Sequence, residues 1–204
     1  MRENNFDRVA PFYDGLSRLI FGNTLEQAQL AYVHNLKPKS RLLVLGGGTG
    51  WILERLLEAQ PDLQIDYVEA SKKMIDRSRG RSFMGNVNFI HGTQIDVPGV
   101  EYDAIITHFF LDVFSPEELV KAIKQLEGLL KQGGIWLCAD FSKTSRLYHQ
   151  FLLWLMHRFF KIMSRLQASQ LQDFQMLLTK EGLQLDGISH WKKGLIFSSC
   201  YRKV

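Results

Sequence analysis

The sequence predicts an α/β fold in which a mostly parallel sheet has helices on both faces. Residues 42–45 are four consecutive apolar residues that run directly into the glycine cluster at 46–50, and a helical pattern begins at Trp51. This order is typical of a buried parallel strand, a tight turn and a helix N-terminus. Strand-like and amphipathic helical segments then alternate along the chain, which favours a parallel sheet over separate layers.

The remaining elements follow from periodicity and from helix start and stop signals. Two helical patterns in residues 6–36 break near Gly22, with Thr24 as the expected N-cap of the second. Ser115 and the Pro-Glu-Glu after it predict a capped helix that ends at Gly133. Three further helices are expected: one that begins at residue 51, one at 71–79 and one at 171–182. The expected strands are 42–45, 65–69, 87–91, 102–107, 134–140, 183–191 and 194–201. Only two lysines separate the last two strands, so these form an antiparallel hairpin.

Composition narrows the class of protein. A chain of 204 residues suits a single domain. Its net charge of +4 is the balance of 25 basic and 21 acidic residues. The basic residues are scattered along the sequence, so we expect no nucleic-acid partner. Cys138 and Cys200 lie in apolar runs without metal-ligand spacing, so we expect neither a metal site nor a disulfide. No signal peptide is visible at the polar N-terminus, and we expect a cytoplasmic, reducing location.

The glycine cluster is the first candidate binding site. Glycine allows positive φ angles and close approach of a ligand to the main chain, and open α/β sheets bind nucleotide-like ligands at this end of a strand. The dinucleotide motif G-x-G-x-x-G fails, because its third glycine would fall on Trp51 or Leu53. What remains is Gly46, Gly48 and Gly50 as G-x-G-x-G. A glycine-rich turn without a ligand is the alternative interpretation.

Glu69 ends the second predicted strand, beside the glycine turn. A carboxylate there can accept hydrogen bonds from both ribose hydroxyls of a bound nucleoside. Adenosylmethionine and NAD satisfy this geometry equally, so Glu69 indicates a nucleoside without choosing between them. A surface glutamate at a strand end is the alternative.

These motifs together resemble the class I S-adenosylmethionine-dependent methyltransferases. Besides the glycine turn and Glu69, the similarity includes residues 91–94, 103–111 and 129–134, and residues 6–14 resemble the N-terminal segment of quinone-biosynthesis methyltransferases. The resemblance implies a Rossmann-like, doubly wound, seven-stranded sheet, mostly parallel with an antiparallel last strand. It also implies one domain over residues 1–204, with an N-terminal helical cap at 1–36, an inserted helix at about 145–166, and S-adenosyl-L-methionine as cofactor.

The resemblance assigns the cofactor site residue by residue. The implied cofactor-binding residues are Gly46, Gly47, Gly48, Thr49, Gly50, Glu69, Ala70, Met74, Thr93, Gln94 and Thr107. Val44 stands where the family usually has an acid, and Thr93 replaces its adenine-binding aspartate. Each charged hydrogen bond lost in this way is worth about 1.5–3 kcal/mol, so we expect weaker cofactor binding.

Catalytic residues are harder to predict, because methyl transfer from a sulfonium depends mainly on proximity and alignment. His108, just after the fourth strand, is the candidate general base by position, with a histidine that merely caps the strand end as the alternative. Tyr13 is the expected lid contact by resemblance alone. The aromatic residues Phe12, Phe109 and Phe110 are candidates to line an apolar substrate pocket.

Residues 148–166 are rich in apolar and aromatic side chains but are interrupted by charges, so they do not predict a transmembrane helix. A buried helix, a lid over an apolar substrate, a peripheral membrane contact and a dimer contact all fit this composition. We expect a methyltransferase acting on a small, apolar or aromatic molecule, as a monomer or homodimer. The alternatives are a non-catalytic adenosylmethionine-binding protein of the same fold and an NAD(P)-dependent oxidoreductase.

Overall fold

The computed structural model describes residue 15 and residues 20–142 and 174–204. Seven strands form one sheet in the order β3-β2-β1-β4-β5-β7-β6. The strands are β1 Arg41–Leu45, β2 Gln64–Glu69, β3 Asn86–His91, β4 Tyr102–Ile106, β5 Leu130–Phe141, β6 Leu183–Trp191 and β7 Ile196–Lys203. The helices are α1 Thr24–Leu30, α2 Trp51–Ala59, α3 Lys72–Arg79, α4 Pro116–Leu129 and α5 Phe174–Lys180.

The strand pairing confirms the predicted topology. β1 lies between β2 and β4 and is parallel to both. β7 is antiparallel to both of its neighbours, β5 and β6. The carboxyl ends of β2, β1, β4 and β5 therefore meet at one edge of the sheet, where ligands of such folds bind.

Each face of the sheet has its own hydrophobic layer. In β1, Leu43 and Leu45 pack with α4 and α5, whereas Leu42 and Val44 pack with α2. This alternation follows from the two-residue period of a strand, and it explains why β1 is apolar at every position after Arg41. The sheet is thus covered on both sides, as the sequence predicted.

Several predicted boundaries are wrong, among them the start of the last strand, which is Ile196 rather than Gly194. Thr24 is the first residue of α1 rather than its N-cap, which is Asn23, and no side-chain cap bond is present there. The helix α4 does not continue to Gly133, because β5 already begins at Leu130. Leu130 is buried beside Tyr102 and pairs with it, and the pairing register shifts between this pair and the next. The strand therefore begins at Leu130, which is buried and paired with Tyr102, rather than at Gly133 and Gly134.

The predicted start signal of α4 is confirmed, whereas Ser71 is the N-cap of α3 rather than the first residue of the predicted helix 71–79. Ser115 caps α4 through a reciprocal capping box with Glu118. Ser71 caps α3 by accepting the backbone N–H of Met74 at 3.2 Å. Of the predicted N-terminal helical cap at 1–36, residues 1–14 and 16–19 lie outside the described residues, as does the whole predicted helix at 145–166. In the described ranges, no helix has the length and apolar character needed to cross a membrane.

Candidate cofactor-binding site

The turn after β1 uses glycine where the backbone demands it. Gly46, Gly48 and Gly50 have φ angles of 63°, 64° and 77°, in the left-handed region that other residues rarely adopt. Gly50 is also the N-cap residue of α2, so the first N–H groups of this helix face the sheet edge. The spacing noticed in the sequence is therefore the spacing of three left-handed residues.

The glycines of this turn differ in what surrounds them. A Cβ on Gly46 would lie 2.6 Å from the ring of Phe110, and one on Gly47 would overlap the ring of Tyr67. At Gly48 the nearest atom to such a Cβ is the sulfur of Met74, at 4.0 Å. Gly46 and Gly47 are thus packed by the protein, whereas the main chain at Gly48 is open to a ligand.

Glu69 is buried beside this opening, with 6% of its surface exposed. One carboxylate oxygen accepts the N–H of Gly48 at 3.0 Å and the other accepts the N–H of Ser71 at 2.8 Å. Burial raises the pKa of Glu69, and these backbone hydrogen bonds oppose that rise. The backbone of Ala70 also interacts with this carboxylate. Because a carboxylate has about four acceptor sites, acceptor capacity remains for a ribose hydroxyl.

Three polar side chains donate hydrogen bonds to main-chain carbonyls of the glycine turn. Tyr67 and Ser78 each donate to the carbonyl oxygen of Gly48 at 2.9 Å. The guanidinium of Arg81 donates to the carbonyl of Thr49. The sequence analysis missed all three residues. Tyr67 was detectable in principle, because it lies two residues before Glu69 in β2 and so shares its face of the sheet.

The predicted adenine side lies at the ends of β2 and β3. The backbone oxygen of Ala70 is 3.0 Å from the Nε2 atom of His91. The amide and hydroxyl of Thr93 both donate to Asp96, at 2.8 and 3.2 Å. The hydroxyl of Thr93 therefore uses its hydrogen within the chain and keeps only acceptor capacity. The backbone oxygen of Gln94 accepts a hydrogen bond from Gln125.

Thr107 is fully buried after β4, and its side chain belongs to the core. Its hydroxyl accepts the indole N–H of Trp136 at 2.8 Å, and its amide donates to the carbonyl of Leu137 at 3.0 Å. The Thr107 side chain also hydrogen-bonds to Cys138. The side chain of Thr107, a residue that the sequence analysis assigned to the cofactor, is therefore engaged within the core, and its backbone carbonyl is the group left for a ligand.

The chain leaves the sheet at Phe109 and Phe110. Phe109 has a φ of 51°, and its amide still donates to the carbonyl of Ala139 at 2.7 Å. Its ring centroid lies 5.1 Å from that of Phe141, and the Phe110 ring lies over Gly46. Positive φ in an aromatic residue is uncommon and concentrates at functional sites. Of these two aromatic residues, Phe110 therefore lies beside the glycine turn, whereas Phe109 packs against the end of β5.

His108 is 7% exposed, and burial lowers its pKa to about 3. Within the described part of the chain neither ring nitrogen has a hydrogen bond of good geometry, and the backbone of Gln29 only partly opposes the effect of burial. The imidazole is neutral at physiological pH and a weak base. Its assignment as general base stays a prediction, and this pKa is unfavourable to it.

Two carboxyl groups that the sequence did not reveal, one half-buried on Asp112 and one fully buried on Asp140, connect the turn after β4 to the end of β5. Asp140 is fully buried and accepts the N–H of Phe141 at 2.8 Å. Burial, reinforced by the charge of Asp112, raises the pKa of Asp140 well above its ordinary value. Burial also raises the pKa of Asp112 to about 6. One oxygen on each carboxyl group lacks a hydrogen-bond partner among the described residues.

The structure thus brings most of the predicted cofactor residues to one edge of the sheet. The glycine turn, Glu69, Ala70 and Met74 meet directly, since the sulfur of Met74 approaches Gly48. Thr93, Gln94 and Thr107 follow the carboxyl ends of neighbouring strands. Tyr13 and Phe12 lie outside the described residues.

Comparison with known proteins supports this interpretation. Residues 43–136 match the family described as "Methyltransferase domain". The chain is 27% identical over 135 residues to a carboxy-S-adenosyl-L-methionine synthase of Campylobacter fetus, covering 65% of this chain and 54% of that protein. It is 25% identical over 186 residues to a ubiquinone/menaquinone biosynthesis C-methyltransferase of Vibrio parahaemolyticus, and this match covers 84% of this chain and 70% of that protein.

Solved structures agree at the level of the fold. A putative methyltransferase of Haloferax volcanii, solved in complex with the Trm112 methyltransferase activator, aligns with a TM-score of 0.76 over 100% of this chain and 99% of that one. At 12% sequence identity this likeness shows the fold alone.

The fold is Rossmann-like, as in the S-adenosylmethionine-dependent methyltransferases, and residues 43–136 match their domain family. The family match and the relatives bear out the resemblance to the class I methyltransferases that the motifs indicated. The chain spans about half the length of the synthase that it matches.

Proposed function

We propose that this protein is a methyltransferase that transfers the methyl group of S-adenosylmethionine to a small, apolar or aromatic molecule. The observation that carries the proposal is the pairing of Gly48 with Glu69. Gly48 offers open main chain, and its N–H holds a buried carboxylate that keeps acceptor capacity. An adenosine group fits this chemistry, because its ribose supplies two neighbouring hydroxyl donors.

In this proposal the chain binds and orients the cofactor rather than activating it. Bound adenosylmethionine supplies a methyl group on a positively charged sulfur. Glu69 receives the ribose, the glycine turn receives the amino-acid end, and Met74 contributes an apolar contact beside Gly48. Fixing donor and acceptor in contact is the main source of acceleration in such transfers.

The substrate class follows from what surrounds the turn after β4. The ring of Phe110 lies over Gly46 of the turn and packs against Phe114, and the neighbouring Phe109 ring packs against Phe141. These rings support an apolar or aromatic acceptor. The relatives act on different molecules by their names, among them ubiquinone and menaquinone precursors and a malonyl-[acyl-carrier protein].

A transfer assay tests the proposal. The purified protein is incubated with adenosylmethionine carrying an isotope-labelled methyl group and a panel of phenols, quinols and simple aromatic acids, and products are analysed by mass spectrometry. We expect labelled methyl in at least one aromatic acceptor and inhibition by adenosylhomocysteine. Binding of adenosylhomocysteine without transfer to any acceptor would contradict the catalytic assignment and favour the non-catalytic alternative.

A further inference from the structure

We propose that Tyr67 and Ser78 are positioning residues that set the orientation of Gly48 and, through it, the recognition of the ribose by Glu69. Neither side chain is expected to touch the cofactor. The inference rests on the proposed function, because it concerns how the same turn selects a nucleoside with both ribose hydroxyls.

The two hydroxyls converge on one acceptor. The carbonyl oxygen of Gly48 receives the hydroxyl of Tyr67 and that of Ser78, each at 2.9 Å. The two hydroxyl oxygens are 3.1 Å apart. The single hydrogen of the Ser78 hydroxyl is shared between the carbonyl of Gly48 and that of Met74 in α3, each 2.9 Å from the Ser78 oxygen. Both residues are fully buried. The peptide after Gly48 is therefore fixed to β2 and to α3 at once.

The peptide before Gly48 is fixed by a different group. Its N–H donates to Glu69 at 3.0 Å. Gly48 itself has a φ of 64°, so the two peptides are joined by a residue in the left-handed conformation. Rotation of the peptide after Gly48 alters this conformation and redirects the N–H that orients the carboxylate. Tyr67 and Glu69 are thus connected through a single residue.

The neighbouring glycines show that this support is built into the turn. A Cβ on Gly47 would overlap the ring of Tyr67, and one on Gly50 would lie 2.7 Å from the side chain of Ser78. These two glycines are therefore needed for close approach of the supporting side chains. In this account the lack of a Cβ at Gly47 and Gly50 makes room for Tyr67 and Ser78, whereas the lack of a Cβ at Gly48 leaves room for the ligand.

The test uses Tyr67→Phe and Ser78→Ala, each of which removes one hydroxyl and keeps most of the packing. Calorimetry gives the Kd for adenosylhomocysteine and for its 2′-deoxy analogue. We expect each variant to bind adenosylhomocysteine about threefold to tenfold more weakly, as for one lost hydrogen bond. The Kd for the 2′-deoxy analogue should change little, so that the preference for the ribose falls by a similar factor.

Tyr102→Phe is the matched control. Tyr102 is also fully buried in the sheet, but its hydroxyl donates to Asp66 at 2.9 Å, away from the glycine turn. This variant should lose stability without changing the ratio of the two dissociation constants. A double variant with Glu69→Gln completes the design, because Tyr67→Phe should add little once Glu69 is altered.

The outcomes separate the two claims. Equal weakening of both ligands in Tyr67→Phe and Ser78→Ala would overturn the positioning role, since a general loss of structure acts on both alike. Unchanged dissociation constants would overturn it as well. Failure of the wild-type protein to bind adenosylhomocysteine would instead overturn the proposed function, and the positioning role with it.

Discussion

At the scale of single residues, the glycine turn divides into positions packed by the protein and one position left open. Gly47 is closed by Tyr67, whereas a Cβ on Gly48 would have no atom nearer than the Met74 sulfur at 4.0 Å. Sequence spacing identified the turn and Glu69, because glycine and an acid at strand ends have few structural substitutes. It did not identify Ser78 or Arg81, whose side chains reach the turn only through the three-dimensional packing of α3 and the residues after it. It also missed Tyr67, although Tyr67 shares a face of β2 with Glu69.

A valine at Gly48 tests the assigned ligand position. The change introduces a β-branched side chain at positive φ, which costs about 1–2 kcal/mol of stability, and also fills the space assigned to the cofactor. We expect binding of adenosylhomocysteine to weaken by about a hundredfold or more, measured by calorimetry on protein that is still folded by circular dichroism.

Gly133→Val is the matched control for that variant. Gly133 has a φ of 73° and no atom within 4 Å of its Cβ position, but it lies near the amino end of β5, away from the turn. Its valine variant should lose a similar amount of stability and keep wild-type binding. Equal loss of binding in the two variants would show that backbone strain, rather than occupation of the site, causes the effect.

At the scale of elements, the carboxyl groups of half-buried Asp112 and fully buried Asp140 connect the turn after β4 to the end of β5. The raised pKa values mean that folding favours the protonated form of the pair. Stability from this source is fully present below the ordinary pKa of an aspartate and is lost as pH rises through the raised values. Because burial lowers the pKa of His108, the contribution of this residue to stability instead increases as pH rises from roughly 5 to 7.

Asp140→Asn tests this pair by comparison with the wild type, so that the contribution of His108 cancels. We expect the variant to be more stable than the wild type at about pH 7.5 by about 1–2 kcal/mol, with a smaller difference at about pH 5. Urea unfolding at both pH values measures it. Asp62→Asn alters an exposed carboxylate and should show no such pH-dependent gain. A gain that is equal at both pH values would contradict the account.

At the scale of the whole molecule, the sequence predicted the topology well because each strand and helix carried its own local signal. Alternating elements specified the parallel part of the sheet, and the short connection at Lys192 specified the final hairpin. The start of β5 at Leu130 could not be predicted, because it depends on burial beside Tyr102 rather than on the glycines that follow. The pKa of His108 depends likewise on packing that no local pattern shows.

The central claim is that the edge of the sheet at Gly48 and Glu69 holds an adenosylmethionine-type nucleoside rather than a dinucleotide. The geometry supports this through the open main chain at Gly48 and the buried carboxylate. Trp51 begins α2 where a dinucleotide motif requires glycine for close packing of helix and strand.

Calorimetric titration of the wild-type protein with adenosylhomocysteine and, separately, with NAD tests this claim most directly. The account predicts saturable binding of adenosylhomocysteine at one site per chain, weakened in Glu69→Ala, and no saturable binding of NAD. Binding of NAD with no binding of adenosylhomocysteine would contradict it.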